Sequence, residues 1–290
     1  MGRKGATGIG FIAILTWAFL ALLSAASGRV PPFQLLAMTF GIGSLCGVAS
    51  WIFRPGGIKA LRQSWSVWAL GVGGLFFYHL TYFAAIQAAP ALEVSLIAYL
   101  WPLLIVVFSA LLPGEQLKAH HVVGVLLGIA GAVLVITRGD IGSTFASLSK
   151  GHALAVLCAV IWSGYSVLSR RTAKVPSDAV AGFSLATAAL ALLCHLAFEN
   201  THWPATTREW AAITVLGLLP LGAAFYAWDY GVKHGDIMVL GAASYAAPLL
   251  STLVLLAAGM TSFHWSIAAA CVLITAGAIL AARDMLFKQT

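Results

Sequence analysis

The chain has little charge. Asp, Glu, Lys and Arg make up only 9% of its 290 residues, against about 25% in a soluble domain, which excludes an ordinary water-exposed fold. It has four cysteines, Cys46, Cys158, Cys194 and Cys271; all lie inside apolar runs and none forms a CxxC. Neither a disulfide framework nor a zinc site is indicated, and the residues read as small buried hydrophobes. There is no HExxH, no P-loop and no strand-to-helix GxGxxG, which removes the zinc-protease, phosphate-loop and dinucleotide classes. Gly164-Tyr165-Ser166 is a bare G-x-S with no base placed beside it. The chain therefore reads as a non-enzyme with no cofactor and no metal. The first apolar run contains no carboxylate, so candidates for a proton-coupling site are few.

What is present is apolar. Hydrophobic residues make up 61% of the chain, and mean hydropathy is +0.95. Apolar runs of the length a helix needs to cross the hydrocarbon core recur from end to end. They fall at 7–27, 33–53, 66–89, 92–112, 120–137, 151–169, 178–198, 209–231, 237–258 and 263–283. Such runs are too long for barrel strands, and lipid requires each to satisfy its own backbone. The expected fold is an all-α membrane protein of ten transmembrane helices in the lipid bilayer. With the N-terminus placed in the cytoplasm, 12 of the 16 Lys and Arg residues fall on cytoplasmic segments, Arg54 and Lys288 among them. The positive-inside bias thus predicts both termini in the cytoplasm. The net charge of +7 is topology, and no nucleic-acid partner is expected.

The chain also repeats itself. Tyr99-Leu100-Trp101-Pro102 returns 146 positions later as Tyr245-Ala246-Ala247-Pro248. The same offset pairs Gly71 with Gly217, Leu75 with Leu221, and Ala130-Gly131-Ala132 with Ala276-Gly277-Ala278. Near the N-terminus it slips by one, pairing Trp17 with Trp162 and Ser24 with Ser169. Five helices per copy is an odd number, so the copies must insert with opposite orientation. The expected halves are 1–140 and 141–290, joined by the loop at 138–150. Arg3, Lys4 and the following apolar run imitate a signal peptide. Retention is expected, because the run matches the first helix of the second half. Short connections predict helices 3, 4, 8 and 9 at the centre. The small face Gly124, Gly128, Gly131 and its counterpart at Ala276-Gly277 read as close packing within one chain rather than a dimer contact, and a monomer is expected.

Aromatic residues near mid-depth mark the candidate site. Trp51, Trp65, Trp203, Trp210 and Trp265 lie near span ends, as an interfacial belt requires. Trp17, Tyr78, His79, Tyr82, Tyr99, Trp101, Trp162, Trp228 and Tyr245 lie deep, where hydroxyl and indole N–H groups need partners that a wet cavity supplies. They are predicted to line one central cavity and bind substrate. Pro102 and Pro248 interrupt helices 4 and 9 at matching depth and are predicted hinges. Helix pairs 3–4 and 8–9 are expected to rock about them. Glu93 and Asp229 are placed near span ends within reach of water, and Glu115 and Asp236 in loops or caps.

At these residues the chain resembles a known family. The ten-helix double repeat, Glu93-Val94 ahead of Tyr99-Leu100-Trp101-Pro102, and Leu111 through Leu117 with Glu115 resemble the drug/metabolite transporter superfamily, EamA type. Trp228 through Pro248, with His234-Gly235 and Ser244-Tyr245, is most similar to the YddG-type aromatic amino acid exporters. The resemblance implies a bacterial inner-membrane exporter whose small-molecule substrates are aromatic amino acids and related metabolites or toxicants. Thr261 stands where the repeat would place a second Glu115, which points Glu115 to a structural or capping role in the first half. A broad exporter of hydrophobic cations is the alternative; it calls for a central membrane carboxylate, and the spans carry none.

Overall fold

The computed structural model describes residues 2–51, 57–140, 142 and 149–284. Arg54, Lys288 and most of the 138–150 loop lie outside the described residues. Within them every regular element is helical. Eight helical segments are long and apolar enough to cross a membrane: Arg3–Ala26, Pro32–Ser50, Trp65–Ala88, Ala119–Thr137, Lys150–Arg171, Ser177–Phe198, Thr207–His234 and Ile237–Ala257. Two shorter apolar helices, Glu93–Ser109 and Trp265–Ala281, complete the set. The chain is a multi-pass helical membrane protein.

Four segments are broken, each for an identifiable reason. The first divides into α1 (Arg3–Trp17) and α2 (Leu20–Ala26). Thr16 turns its hydroxyl back onto the carbonyls of Ile12 and Ala13, a local bond that bends helices. The fourth divides into α5 (Ala91–Ala98) and α6 (Trp101–Ser109), and the ninth into α12 (Ile237–Ala243) and α13 (Ala246–Ala257). The breaks therefore lie at Tyr99-Leu100 and Ser244-Tyr245, upstream of the predicted hinges. Pro102 and Pro248 sit in the first turn of the helix that follows, where a missing N–H costs nothing; the strain falls on the preceding turn. The eighth segment consists of α10 (Thr207–Leu218), a π-helical turn at Leu219–Ala223 and α11 (Ala224–His234). Pro220 in that turn removes a donor and lets the ladder slip to the wider pattern. The sequence reading passed over this break.

The unbroken segments are α3 (Pro32–Ser50), α4 (Trp65–Ala88), α7 (Ala119–Thr137), α8 (Lys150–Arg171), α9 (Val180–Phe198) and α14 (Trp265–Ala281). The expected central pairing of helices 3 with 4 and 8 with 9 is not what forms. The most extensive contacts pair α3 with α9, α4 with α8, α1 with α11, and α7 with α14, and α6 also packs on α12. Each pair joins a helix before residue 140 to one after it. Short connections dictate antiparallel order but not the closest partner, and small residues decide that. A Cβ on Gly124 would lie 2.6 Å from the Gly277 carbonyl oxygen, so the glycine face of α7 is consumed by α14 of the same chain. On Gly231 of α11 it would lie 2.6 Å from Gly10 Cα of α1. Trp65, Trp203, Trp210 and Trp265 are exposed at helix ends, as an interfacial belt requires.

Hydrogen bonds define the two ends of the bundle. At the end carrying the N-terminus, here the terminal face, Arg3, Glu115, Arg170 and Asp236 meet. At the far face Glu199 accepts from the Phe33 and Gln34 backbone N–H groups at 3.0 and 3.1 Å. There also His152 meets Glu93 at 2.5 Å, and Ser149 reaches the Ala88 carbonyl at 3.1 Å.

Candidate functional site

A cavity of about 500 Å³ runs from mid-depth to the far face, within the range of roughly 300–1,000 Å³ typical of small-molecule sites. Its mouth reaches Ser24, Pro32, Phe83, Ser95 and Ser251, which lie toward the far-face ends of their segments. No Asp, Glu, Lys or Arg is among its lining residues.

Seven of the nine aromatic and histidine candidates line it: Trp17, Tyr78, His79, Tyr82, Tyr99, Trp101 and Trp162. The helix breaks put several of them there. Trp17 ends α1 at the Thr16 bend, and its indole N–H donates to the Pro220 carbonyl of the π-helical turn at 3.1 Å. Trp17, Trp101 and Trp162 meet edge to face, with ring centroids 5.9 to 6.3 Å apart. Each such contact adds about 0.5–1.5 kcal/mol beyond buried area, and together the three rings form the floor. Tyr78 and Tyr82, one turn apart on α4, lie parallel with centroids 6.3 Å apart, and Tyr78 leans on Trp162 at 5.2 Å. His79 meets the Leu75 carbonyl through Nδ1 at 2.7 Å. A carbonyl only accepts, so Nδ1 carries the proton and a neutral ring keeps Nε2 as its acceptor.

Trp228 and Tyr245 are corrections. Both are fully buried and absent from the lining. Trp228 lies behind the floor, near-parallel to Trp162 at 6.2 Å, and its indole N–H donates to Ser166 Oγ at 3.1 Å. That bond also explains the G-x-S: its serine is a buried partner for an indole. Tyr245 packs against Gly128, and its hydroxyl accepts from the Leu103 backbone N–H at 3.2 Å. The first N–H groups of a helix have no partner within it, so Tyr245 caps α6 beyond the break. Depth alone could not separate a residue on the cavity wall from one just behind it. Phe225, missed by the sequence reading, completes the wall beside Trp17 and Trp162.

The terminal face is sealed by charge. Glu115 accepts from Arg3 at 3.1 Å and from Arg170 at 2.6 Å, and Arg3 also meets Asp236 at 3.1 Å. Arg170 donates further to the carbonyls of Val232 and Gly235 at 3.1 and 2.7 Å. Glu115 is thus no cap: it ties α1 and α8 to the turn after α6, across both halves of the chain. Asp236 does cap α12, accepting from Val239 N–H at 3.2 Å. Deeper on the same side, Asp229 and Lys233 pair at 2.8 Å with both side chains 2% exposed. Asp229 is therefore sealed rather than washed by water. At the far face, Glu93 is held by His152.

Comparison with known proteins agrees with this architecture. The EamA-like transporter family model matches twice, at residues 5–137 and 149–283. The aromatic amino acid exporter YddG of Ancylobacter novellus is 53% identical over 97% of this chain and 98% of its own. The Escherichia coli K12 protein of the same name is 26% identical, covering 91% of this chain and 93% of its own. A solved crystal structure superposes with a TM-score of 0.91 at 51% identity, covering 97% of this chain and 99% of that one. The matches take in nearly the whole length. The chain belongs to the EamA-like transporter family.

Proposed function

We propose that the protein exports aromatic amino acids, and related small hydrophobic metabolites or toxicants, across the bacterial inner membrane by alternating access, acting as a monomer. Ten membrane-crossing helices form two inverted five-helix halves, 1–140 and 141–290, with both termini cytoplasmic. The observation that carries the reading is an uncharged, aromatic-walled cavity open at one end and closed at the other by ion pairs. The names of the two exporters described above support the substrate class, and the double family match supports the duplication.

The cavity suits a flat ring on a net-neutral zwitterion. Trp17, Trp101, Trp162, Tyr78 and Tyr82 offer ring faces, which attract an ammonium as well as stack on a ring. His79 Nε2 accepts from the ammonium, and tyrosine hydroxyls donate to the carboxylate. Without a lining carboxylate no full negative charge balances a substrate that carries only a cation, whereas a zwitterion brings its own, so the hydrophobic-cation alternative is not favoured.

The helix pairing supports an inverted duplication. The pairs α3–α9, α7–α14 and α6–α12 each join corresponding segments, while α1–α11 and α4–α8 correspond to each other. Exchanging the conformations of the halves turns one face into the other. In the state described here Tyr245 caps α6; after exchange its counterpart Tyr99, now on the cavity wall, caps α13 at Leu249. The bends lie at Tyr99-Leu100 and Ser244-Tyr245, next to Pro102 and Pro248.

Proteoliposome uptake of labelled phenylalanine, tryptophan and threonine, with and without a pH gradient, tests the proposal. Phenylalanine and tryptophan entering well ahead of threonine is expected. Equal entry of all three, or none above empty liposomes, overturns it.

A further inference from the structure

On the terminal side of the tryptophan floor, Leu70, Tyr165, Ser169 and Asp229 are among ten residues that surround a remnant space of only about 10 Å³. Their repeat counterparts are Leu216, Leu20, Ser24 and Phe83, at the offsets of 145 and 146 that run through the chain. All four counterparts line the open cavity at the far face. Those four correspondences put the small space where the repeat places the counterpart of the open vestibule, which exchange of the halves would open.

The two vestibules differ most in charge. Where the far-face vestibule has Phe83 on its wall, with Gln87 one turn on and outside the lining, the terminal one has Asp229 and Lys233 on its wall. In the closed state these two neutralise each other: Asp229 accepts from Lys233 Nζ at 2.8 Å and from Ser177 Oγ at 2.6 Å. Lys233 also donates to the Val175 carbonyl at 3.0 Å. Val175 and Ser177 belong to the connection between α8 and α9, which packs on α11, and that connection and α11 must part for the space to open. Parting them strips one partner from each charge and leaves a carboxylate and an ammonium one helical turn apart, facing the new opening.

We propose that Asp229 and Lys233 form a loading site on the terminal face for the zwitterionic end of an amino acid. Asp229 takes the α-ammonium and Lys233 the α-carboxylate, before the ring passes to the aromatic slot. The inference rests on the alternating-access reading above. It gives the two faces different demands: loading requires both charged groups of the substrate, whereas the vestibule on the far face is lined without Asp, Glu, Lys or Arg.

The test measures inhibition of labelled phenylalanine entry from the terminal face of oriented vesicles. The competitors are phenylalanine, phenylalaninamide (no carboxylate) and 3-phenylpropionate (no ammonium). With the unaltered protein, each analogue should compete at least about tenfold more weakly than phenylalanine; equal competition overturns the proposal. In Asp229→Asn with Lys233→Met, KM from the terminal face should rise about tenfold. The discrimination should then shrink below about threefold, and KM from the far face should stay within about twofold of the parent. If that variant fails to assemble, the swap Asp229→Lys with Lys233→Asp keeps the pair, and an unchanged terminal-face KM there counts against the proposal. Labelling of Ser169→Cys from the terminal face reads opening itself. A cysteine that never reacts while phenylalanine is transported refutes the exchange reading. A reactive cysteine with parental KM and discrimination in the double variant refutes only the loading site.

Discussion

Replacing Glu115 with Gln should unlock the terminal face. The carboxylate is 9% exposed and holds Arg170, 20% exposed, at 2.6 Å. A charge-assisted bond in that setting contributes about 1.5–3 kcal/mol. The Arg3 arm at 3.1 Å is half exposed, so solvent screening reduces it to about 0–1 kcal/mol. Glutamine can still offer one carbonyl oxygen, and Arg170 keeps its bonds to Val232 and Gly235. The net loss is about 2 kcal/mol, which changes the ratio of closed to open terminal face about thirtyfold. The assay is the rate at which Ser169→Cys, buried behind the lock at 2% exposure, reacts with a membrane-impermeant maleimide from the terminal side. That rate should rise about thirtyfold in the Glu115→Gln background. A rate within about twofold of the parent would show that the cluster is surface decoration and that packing alone closes this face.

Three further outcomes follow from the same geometry. Tyr245→Phe removes the hydroxyl that caps α6 at Leu103 and should cost the state described here about 1 kcal/mol. Tyr99→Phe should cost the exchanged state a similar amount, so the two variants should move Ser169→Cys labelling in opposite directions. Replacing both Pro102 and Pro248 with Ala removes the rings that strain the turn before each and lets the helix run through both breaks. Turnover in liposomes should fall substantially with substrate binding at least partly retained, while parental turnover would make the prolines static wedges. Gly124→Val drives a Cβ to within 2.6 Å of the Gly277 carbonyl, an overpacking of about 1–3 kcal/mol that lowers the melting temperature in detergent; an unchanged melting temperature would mean that α7 and α14 part freely.

Much of the fold was legible because lipid leaves little choice. A segment such as 151–169 has to be a continuous apolar helix, and it is found as Lys150–Arg171. Prolines announce breaks, although their effect falls on the turn before them, which is why the bends sit at Tyr99 and Tyr245. The π-helical turn was hidden because the repeat does not echo Pro220: its counterpart is Gly74, whereas Pro102 and Pro248 point to each other. Partners far apart in sequence left no local trace: nothing near Glu115 points to Arg3 or Arg170, 112 and 55 positions away. Asp229 and Lys233 did leave one, the i, i+4 spacing that places opposite charges on one helix face. It passed for an ordinary helix end because length along a helix does not reveal what packs over it. For the aromatic residues, the sequence supplies depth and not direction, which separates Trp101 on the wall from Trp228 behind it only once the helices are assembled.

The central claim is that the aromatic cavity carries net-neutral aromatic amino acids, and counterflow tests it most directly. Proteoliposomes preloaded with unlabelled tryptophan should transiently accumulate external labelled phenylalanine above equilibrium. Preloading with threonine or with a hydrophobic cation such as tetraphenylphosphonium should give no overshoot. An overshoot driven by the cation as strongly as by tryptophan, or none with tryptophan, would contradict the account.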